Sequence, residues 1–190
     1  MAKKTISKAP IYQLKITLAH SKPPIWRRVL VPGDVTLEHL HYIIQVAMGW
    51  TNYHLHQFIV HGIYFGVPNP DYFDYMEMND ERRFRLNQIA DKEGSRFRYE
   101  YDFGDGWMHT LLVEKILEPD PSGQVPVCIK GRRACPPEDV GGVWGYGNFL
   151  EAIGDPDHPE HEDYVRWIGG AFDPEAFDLE ETNLLLQELA

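Results

Sequence analysis

The chain has 190 residues, of which 43% are hydrophobic, and its formal net charge at pH 7 is -11. This composition is typical of a folded protein with one domain over residues 1–190, and the acidic balance argues against a dedicated nucleic-acid binder, which needs a basic face for the phosphates. The absence of a signal peptide, of a long apolar run and of more than two cysteines predicts a cytoplasmic protein without membrane contact or a disulfide framework.

The first third of the chain predicts two strands and a helix. Apolar and polar residues alternate over residues 11–19 and 25–31, which is the period of a strand, and the SKPP sequence between them favours a turn. Apolar side chains then recur at helical spacing from Leu37 onward. Thr36 is suited to cap the start of this helix, and Gly49 is suited to end it.

The middle of the chain predicts further strands separated by loops. Residues 54–66 favour one or two strands, and residues 96–103 and 107–117 favour two strands joined by a tight turn. A short element is predicted within FRLNQIAD. Loops are predicted at 67–81 and 118–126, and a rigid connector dense in Pro and Gly at 134–147.

The last third of the chain predicts helices. One helix is predicted over residues 143–154, and a second begins at Asp157, with Glu160 completing a capping box. Asp173 starts a short helical turn, and Asp178 caps the final helix. Strands first and helices later indicate an α+β fold: a mainly antiparallel twisted sheet with one helix early in the chain and a C-terminal group of helices.

The segment YEYDFGDGWMHTLLVEKI allows two hairpin registers. A two-residue turn at Asp105-Gly106 places Asp102 opposite His109, a pair able to orient an imidazole for catalysis. A three-residue loop instead matches one aromatic strand face with the other, and this register is preferred because a slip of one residue would exchange the faces. It pairs Phe103 with Trp107, Tyr101 with His109 and Asp102 with Met108.

Asp102, Asp105 and His109 are the candidate catalytic residues. In the preferred register His109 lies on a packed aromatic face, where a histidine is more often a hydrogen-bonded core group than a base. Asp102 and Asp105 are then turn residues whose carboxylates accept backbone N–H groups. The hairpin is therefore predicted to have a structural rather than a catalytic role.

His41, His54, His56 and His109 are the candidate metal ligands. His54 and His56 are two residues apart, so on a strand both side chains point the same way, and His41 lies on the apolar stripe of the preceding helix. One hypothesis is a cluster of His41, His56 and His109 beneath that helix; the other is a set of separate core or rim histidines. Because a metal needs three or four converging ligands, no cofactor is predicted from the sequence.

Five blocks of the sequence resemble the Ri-plasmid ORF-three-like domain family. They are KPPIWRRVLVP, TLEHLHYIIQVAMGW, YEYDFGDGWMHTLLVEKI, ACPPEDVGGVWGYGNFLEAIGDPDHPEH and WIGGAFDPEAFDL, and the resemblance runs from about Tyr12 to Leu186. It implies a stand-alone α+β domain that is found widely in bacteria and archaea and has no agreed reaction.

Two further features of that family bear on function. Some of its members are labelled transposon resolvases or are joined to a DNA-binding domain, but this chain has few serines and none in a recognisable arginine–serine motif. Many members carry a third cysteine where this chain has Val140. Cys128 and Cys135 are separated by six residues, a spacing that fits neither a zinc knuckle nor a redox pair.

Three functions are therefore expected in decreasing order. The first is a non-enzymatic module that binds another protein through its connector and through aromatic side chains around residues 64–75. The second is a metal-dependent enzyme that uses the histidines with Asp102 or Asp105. The third is nucleic-acid binding through the basic residues Arg27, Arg28, Arg82, Arg83 and Arg85.

Overall fold

A computed structural model describes residues 9–68, 78–119 and 124–190 of the chain. The strands are β1 (Ile11–Leu18), β2 (Trp26–Pro32), β3 (His56–Val60), β4 (Ile63–Gly66), β5 (Met78–Asp80), β6 (Arg96–Tyr101), β7 (Trp107–Leu117) and β8 (Val127–Arg132). The helices are α1 (Leu37–Met48), α2 (Leu86–Ile89), α3 (Gly142–Gly154), α4 (His161–Ile168) and α5 (Leu179–Gln187).

The described strands form one sheet in the order β5-β4-β3-β6-β7-β1-β2-β8. Neighbouring strands run antiparallel except for β4 and β5, which are parallel. One long helix comes early in the chain and three come at its end. The predicted α+β class, with a mainly antiparallel sheet and a C-terminal group of helices, is confirmed. Within the described ranges no helix has both the length and the apolarity that a bilayer crossing needs.

Helix α1 forms as the local sequence predicts. Thr36 adopts an extended backbone and its Oγ1 accepts a hydrogen bond from the backbone N–H of His39, while Gly49 ends the helix at φ 102°. Leu40 and Ile44 have no exposed surface, and they belong to the same apolar core as the inward residues of the sheet. The helix therefore covers that face of the sheet, and His41 of the helix and His109 of the sheet are both buried.

Strand β8 lies where the sequence predicts no element, and strand β5 lies within a predicted loop. Strand β8 falls between the predicted loop and the predicted connector, and it pairs with β2 at the edge of the sheet. Its sequence, VCIKGR, has only a weak alternation of apolar and polar residues. Strand β5 falls at the end of the predicted loop at 67–81; residues 69–77 of that loop lie outside the described ranges.

One predicted helix start is wrong. Helix α4 begins at His161, and its N-cap residue Glu160 makes no side-chain hydrogen bond, so the capping box at Asp157 does not form. Instead, the backbone N–H of Asp157 donates to the carboxylate of Asp155. Asp173 starts a single turn, in which its Oδ1 accepts from Glu175 N–H and its carbonyl accepts from Ala176 N–H. The predicted cap at Asp178 is confirmed.

The hairpin between β6 and β7 has the predicted faces but neither predicted register. Strand β6 stops at Tyr101, which pairs with Trp107, and the loop spans all of residues 102–106. The reason lies in Asp102, whose backbone turns to φ 56° and whose carbonyl accepts from Gly106 N–H. The register pairs Tyr101 with Trp107, Glu100 with Met108 and Tyr99 with His109.

Candidate functional site

Three separate segments of the chain converge on the side chain of His54. Its Nε2 atom lies 3.1 Å from an oxygen of Asp139, in the connector before α3, and 3.7 Å from an oxygen of Asp102, in the β6–β7 loop. In the described part of the chain, this is the group of His, Cys, Asp or Glu residues whose ligand atoms all lie within 4.8 Å of one another. We call these three residues the His54 cluster.

The hairpin loop aims the carboxylate of Asp102 at the His54 cluster. Its Oδ1 accepts hydrogen bonds from the backbone N–H groups of Gly104 and Asp105, at 2.9 and 3.3 Å. Its own N–H donates to the carbonyl of Leu55, one residue beyond His54. Because Oδ1 is used within the loop, Oδ2 is the atom that faces His54. Asp102 is 7% exposed, so this charged group is held in a largely buried position.

A hydroxyl group ties His54 to the connector. The Tyr101 oxygen accepts hydrogen bonds from the backbone N–H groups of Tyr53 and His54, and it donates to Glu138 at 2.8 Å. Glu138 also accepts from the backbone and the hydroxyl of Thr51. Burial, with the Glu138 hydrogen bond, raises the pKa of Tyr101, so the phenol keeps the proton that this bond requires. The segment before β3 is thus fixed against the residue that precedes Asp139.

The connector is also packed directly against the hairpin loop. The Asp105 carboxylate accepts a hydrogen bond from Gly141 N–H at 3.1 Å. A Cβ atom at Gly142 would lie 2.5 Å from the Asp105 carbonyl oxygen, and Gly142 has a φ of 68°, so this close approach requires glycine. Asp105 therefore braces the connector rather than the turn itself. Asp139 adopts φ 59° and keeps 70% of its side chain exposed.

His41 and His56 come together, but as a pair of stacked rings whose hydrogen bonds go to other side chains. Their rings stack at 3.4 Å and 4°. His41 Nδ1 lies 2.7 Å from the Tyr99 hydroxyl, which already accepts from Gln45, so the phenol proton points to Nδ1. His41 Nε2 then carries the hydrogen that Asn52 accepts at 2.8 Å. Both nitrogens are occupied, and burial, together with the neighbouring His56, lowers the pKa of His41 to about 3.

His56 and His109 lie in separate environments. His56 Nε2 lies 2.9 Å from the buried carboxylate of Glu81. His109 is fully buried beside Trp50, and neither of its ring nitrogens has a hydrogen-bond partner among the described residues. Burial lowers the pKa of His109 to about 4. The Tyr99 ring packs against His41, His56 and His109, so the structure does not bring these three onto a common point.

The cysteines lie elsewhere in the fold. Cys128 and Cys135 are free thiols, and burial raises the pKa of both, the reverse of what a reactive thiolate requires. Val140, next to Asp139, is buried.

The chain is similar to proteins of known sequence and structure. The chain matches the family described as plasmid pRiA4b ORF-3-like protein over residues 10–181. The chain belongs to this family. A relative, "Uncharacterized protein y4hQ" of Sinorhizobium fredii (strain NBRC 101917 / NGR234), is 38% identical over 183 residues, which cover 96% of this chain and 93% of that protein.

A solved structure shows the same fold. The crystal structure of the protein of unknown function MM3350 from Methanosarcina mazei Go1 is similar to this chain with a TM-score of 0.82 and 37% sequence identity. The similarity covers 92% of this chain and 98% of that one. The match to the plasmid pRiA4b ORF-3-like family thus covers the sheet and all three segments that carry the His54 cluster.

Two of the sequence blocks typical of this family meet at the cluster. Asp102 belongs to the block YEYDFGDGW and Asp139 to the block CPPEDVGG. His54 and Asp102 are among the candidates that the sequence supplies, whereas Asp139, Tyr101 and Glu138 are not. The PPED sequence marks a turn rich in acids, but nothing in it indicates which strand it approaches.

Proposed function

We propose that this protein is a non-enzymatic interaction module whose contact surface surrounds the His54 cluster. The observation that carries the proposal is the exposure of Trp144, which is 88% accessible on a helix that packs against the core through Tyr146 and Phe149. A large aromatic ring left in water is unfavourable, and such side chains are enriched where proteins bind one another.

Other exposed aromatic residues are carried by the same three segments. Tyr53, next to His54, is 82% exposed, and Phe103, next to Asp102, is 39% exposed. The surface differs from the one that the sequence indicates at residues 64–75. There, Tyr64 is half-buried and Phe65 is buried, and the residues from 69 to 75 lie outside the described ranges.

The charges beside Asp139 favour a partner segment that is basic. A cleft of about 280 Å³ opens beside Asp139. Two further carboxylates, Glu160 and Asp163, and the rings of Tyr164 and Trp167 line it. Carboxylates attract a lysine or arginine side chain, and aromatic faces add cation–π attraction. Together with the net charge of -11, this supports a partner that presents basic and apolar side chains in one segment.

The arginines give less support to nucleic-acid binding. Arg27 is 2% exposed and donates to three backbone carbonyls. Arg28 forms a bidentate pair with Glu114, and Arg82 forms one with Asp80. Phosphate binding requires several cations that are free on one face, and these three are buried or neutralised.

Site-directed photo-crosslinking tests the proposal. A photoreactive phenylalanine in place of Trp144 or Tyr53, in cells of the organism that encodes the chain, is expected to capture the same partner. The matched control is Ile63, which is 52% exposed on β4. The purified partner should bind the wild-type chain at least about tenfold more tightly than a Trp144→Ser variant, and less tightly as salt rises. The same capture from position 63, or binding unchanged by Trp144→Ser, would refute the proposal.

A further inference from the structure

We propose that His54, Asp102 and Asp139 bind one divalent transition-metal ion, with Zn²⁺ preferred. This inference goes beyond the proposed interaction surface, because it concerns the isolated chain and needs no partner. It differs from the metal site that the sequence indicates, because His41, His56 and His109 are not among the ligands.

The separations within the His54 cluster fit a shared ion. Nitrogen and oxygen ligands lie about 2.0–2.2 Å from Zn²⁺, so two ligands of a tetrahedral ion are about 3.3–3.6 Å apart. The measured distances from His54 Nε2 to the carboxylate oxygens are 3.1 and 3.7 Å, which bracket that value. The two carboxylate oxygens lie within 4.8 Å of each other, so rotation of the exposed Asp139 side chain can close the three ligands around an ion.

The hydrogen bonding around His54 leaves room for such an ion. His54 Nε2 is buried, yet it makes no hydrogen bond of acceptable geometry with any described residue, although two carboxylates face it. A single N–H group could in any case satisfy only one of them. Asp102 presents a charge that is nine-tenths buried, and its Oδ1 is already occupied by loop N–H groups. A cation at this point would satisfy the nitrogen and both carboxylates together.

The donor set selects among cations. Imidazole suits Zn²⁺ and other transition metals, whereas Mg²⁺ and Ca²⁺ prefer oxygen ligands alone. For one site, affinity follows the Irving–Williams order, so Zn²⁺ should bind more tightly than Mn²⁺. Three protein ligands leave a fourth position of a tetrahedral ion open, and the 70% exposed side chain of Asp139 places this position toward solvent.

Metal titration of the tag-free chain, first dialysed against a chelator, tests the inference. We expect one Zn²⁺ per chain by elemental analysis and calorimetry, weaker Mn²⁺ binding, and no Mg²⁺ binding. His54→Asn and Asp139→Asn should each weaken Zn²⁺ binding at least about 100-fold, since even outer-shell changes cost 10–100-fold. His20→Asn and Asp91→Asn, at exposed positions outside the cluster and outside the cleft, are the matched controls and should bind as the wild type does.

Asp139→Asn is the variant that keeps the test decisive. Its side chain is largely exposed and asparagine tolerates the φ of 59°, so circular dichroism and melting without metal should match the wild type. Zn²⁺ should raise the melting temperature of the wild type but not of this variant. Less than one bound ion, or equal affinity in wild type and Asp139→Asn, would overturn the inference. So would an NMR titration showing protonated His54 between the carboxylates with no response to Zn²⁺.

Discussion

Two buried histidines should make this protein sensitive to mild acid, well above the range in which carboxylates titrate. Burial is the leading cause that lowers the pKa of His41 to about 3 and that of His109 to about 4. Both start from an ordinary value of 6.5. In the unfolded chain they take up protons as the pH falls below 6.5, but in the folded protein they stay neutral. Stability is therefore fully present above the unfolded pKa and is lost as the pH falls below it.

The size of this effect follows from the two pKa shifts. Each unmatched proton costs about 1.4 kcal/mol per pH unit, so one histidine lowers the free energy of unfolding by about 2 kcal/mol between pH 7 and pH 5. The two together should cost about 4 kcal/mol. For a domain of this size that corresponds to a decrease in melting temperature of roughly 8–16 °C.

Urea unfolding at several pH values measures this slope, and His109→Leu isolates one half of it. Leucine removes the titrating ring, and because both ring nitrogens of His109 are buried without a partner, the variant should be no less stable at pH 7. The decrease in unfolding free energy from pH 7 to pH 5 should shrink by about 2 kcal/mol. A variant with the same slope as the wild type would show that the fold does not keep His109 neutral, and the reasoning would fail.

Three further predictions concern the framework of the site. Tyr101→Phe keeps the ring but removes a hydroxyl that accepts two backbone N–H groups, so urea titration should show a loss of about 1–3 kcal/mol in unfolding free energy. Gly142→Ala meets a backbone carbonyl at 2.5 Å and should lose about 1–3 kcal/mol, whereas Gly147→Ala in the same helix has open space and should gain about 0.5–1 kcal/mol. A hydrogen bond from Arg28 holds the pKa of Glu114 below its usual 4.5, so Glu114→Gln should be about 1 kcal/mol less stable than wild type at pH 7. That difference should vanish as the pH falls through the folded pKa.

The fold is predictable from the sequence where its causes are local. Helix α1 has an N-cap, a glycine stop and a 3.6-residue apolar period within one segment, and β7 has a regular alternation of inward and outward residues from Trp107 to Val113. Strand β8 has no such signal, because its pairing with β2 is decided by tertiary contacts rather than by its own residues. The hairpin register depends in the same way on Leu55, whose carbonyl accepts the N–H of Asp102 from outside the hairpin.

The site is predictable only in its parts. His54 and Asp102 are polar residues at recognisable positions, but their meeting with Asp139 depends on how the connector lies on the hairpin loop. That contact is made by Asp105 and Gly141, which are ordinary turn residues by sequence. Face assignment places His109 correctly in the core, yet it cannot show that Tyr99 lies between His109 and the stacked pair.

His41, a candidate metal ligand by sequence, instead supports the His54 cluster. His41 donates to the side chain of Asn52, and Gln45 accepts the backbone N–H of the same residue. Helix α1 thus holds the chain two residues before His54 from one side, while Glu138 holds Thr51 from the other. A ligand group needs such support, because a side chain on an unrestrained loop would lose entropy on binding an ion. His41 and Gln45 are accordingly positioning residues, and the proposed ion binds at the His54 cluster, which they hold in place.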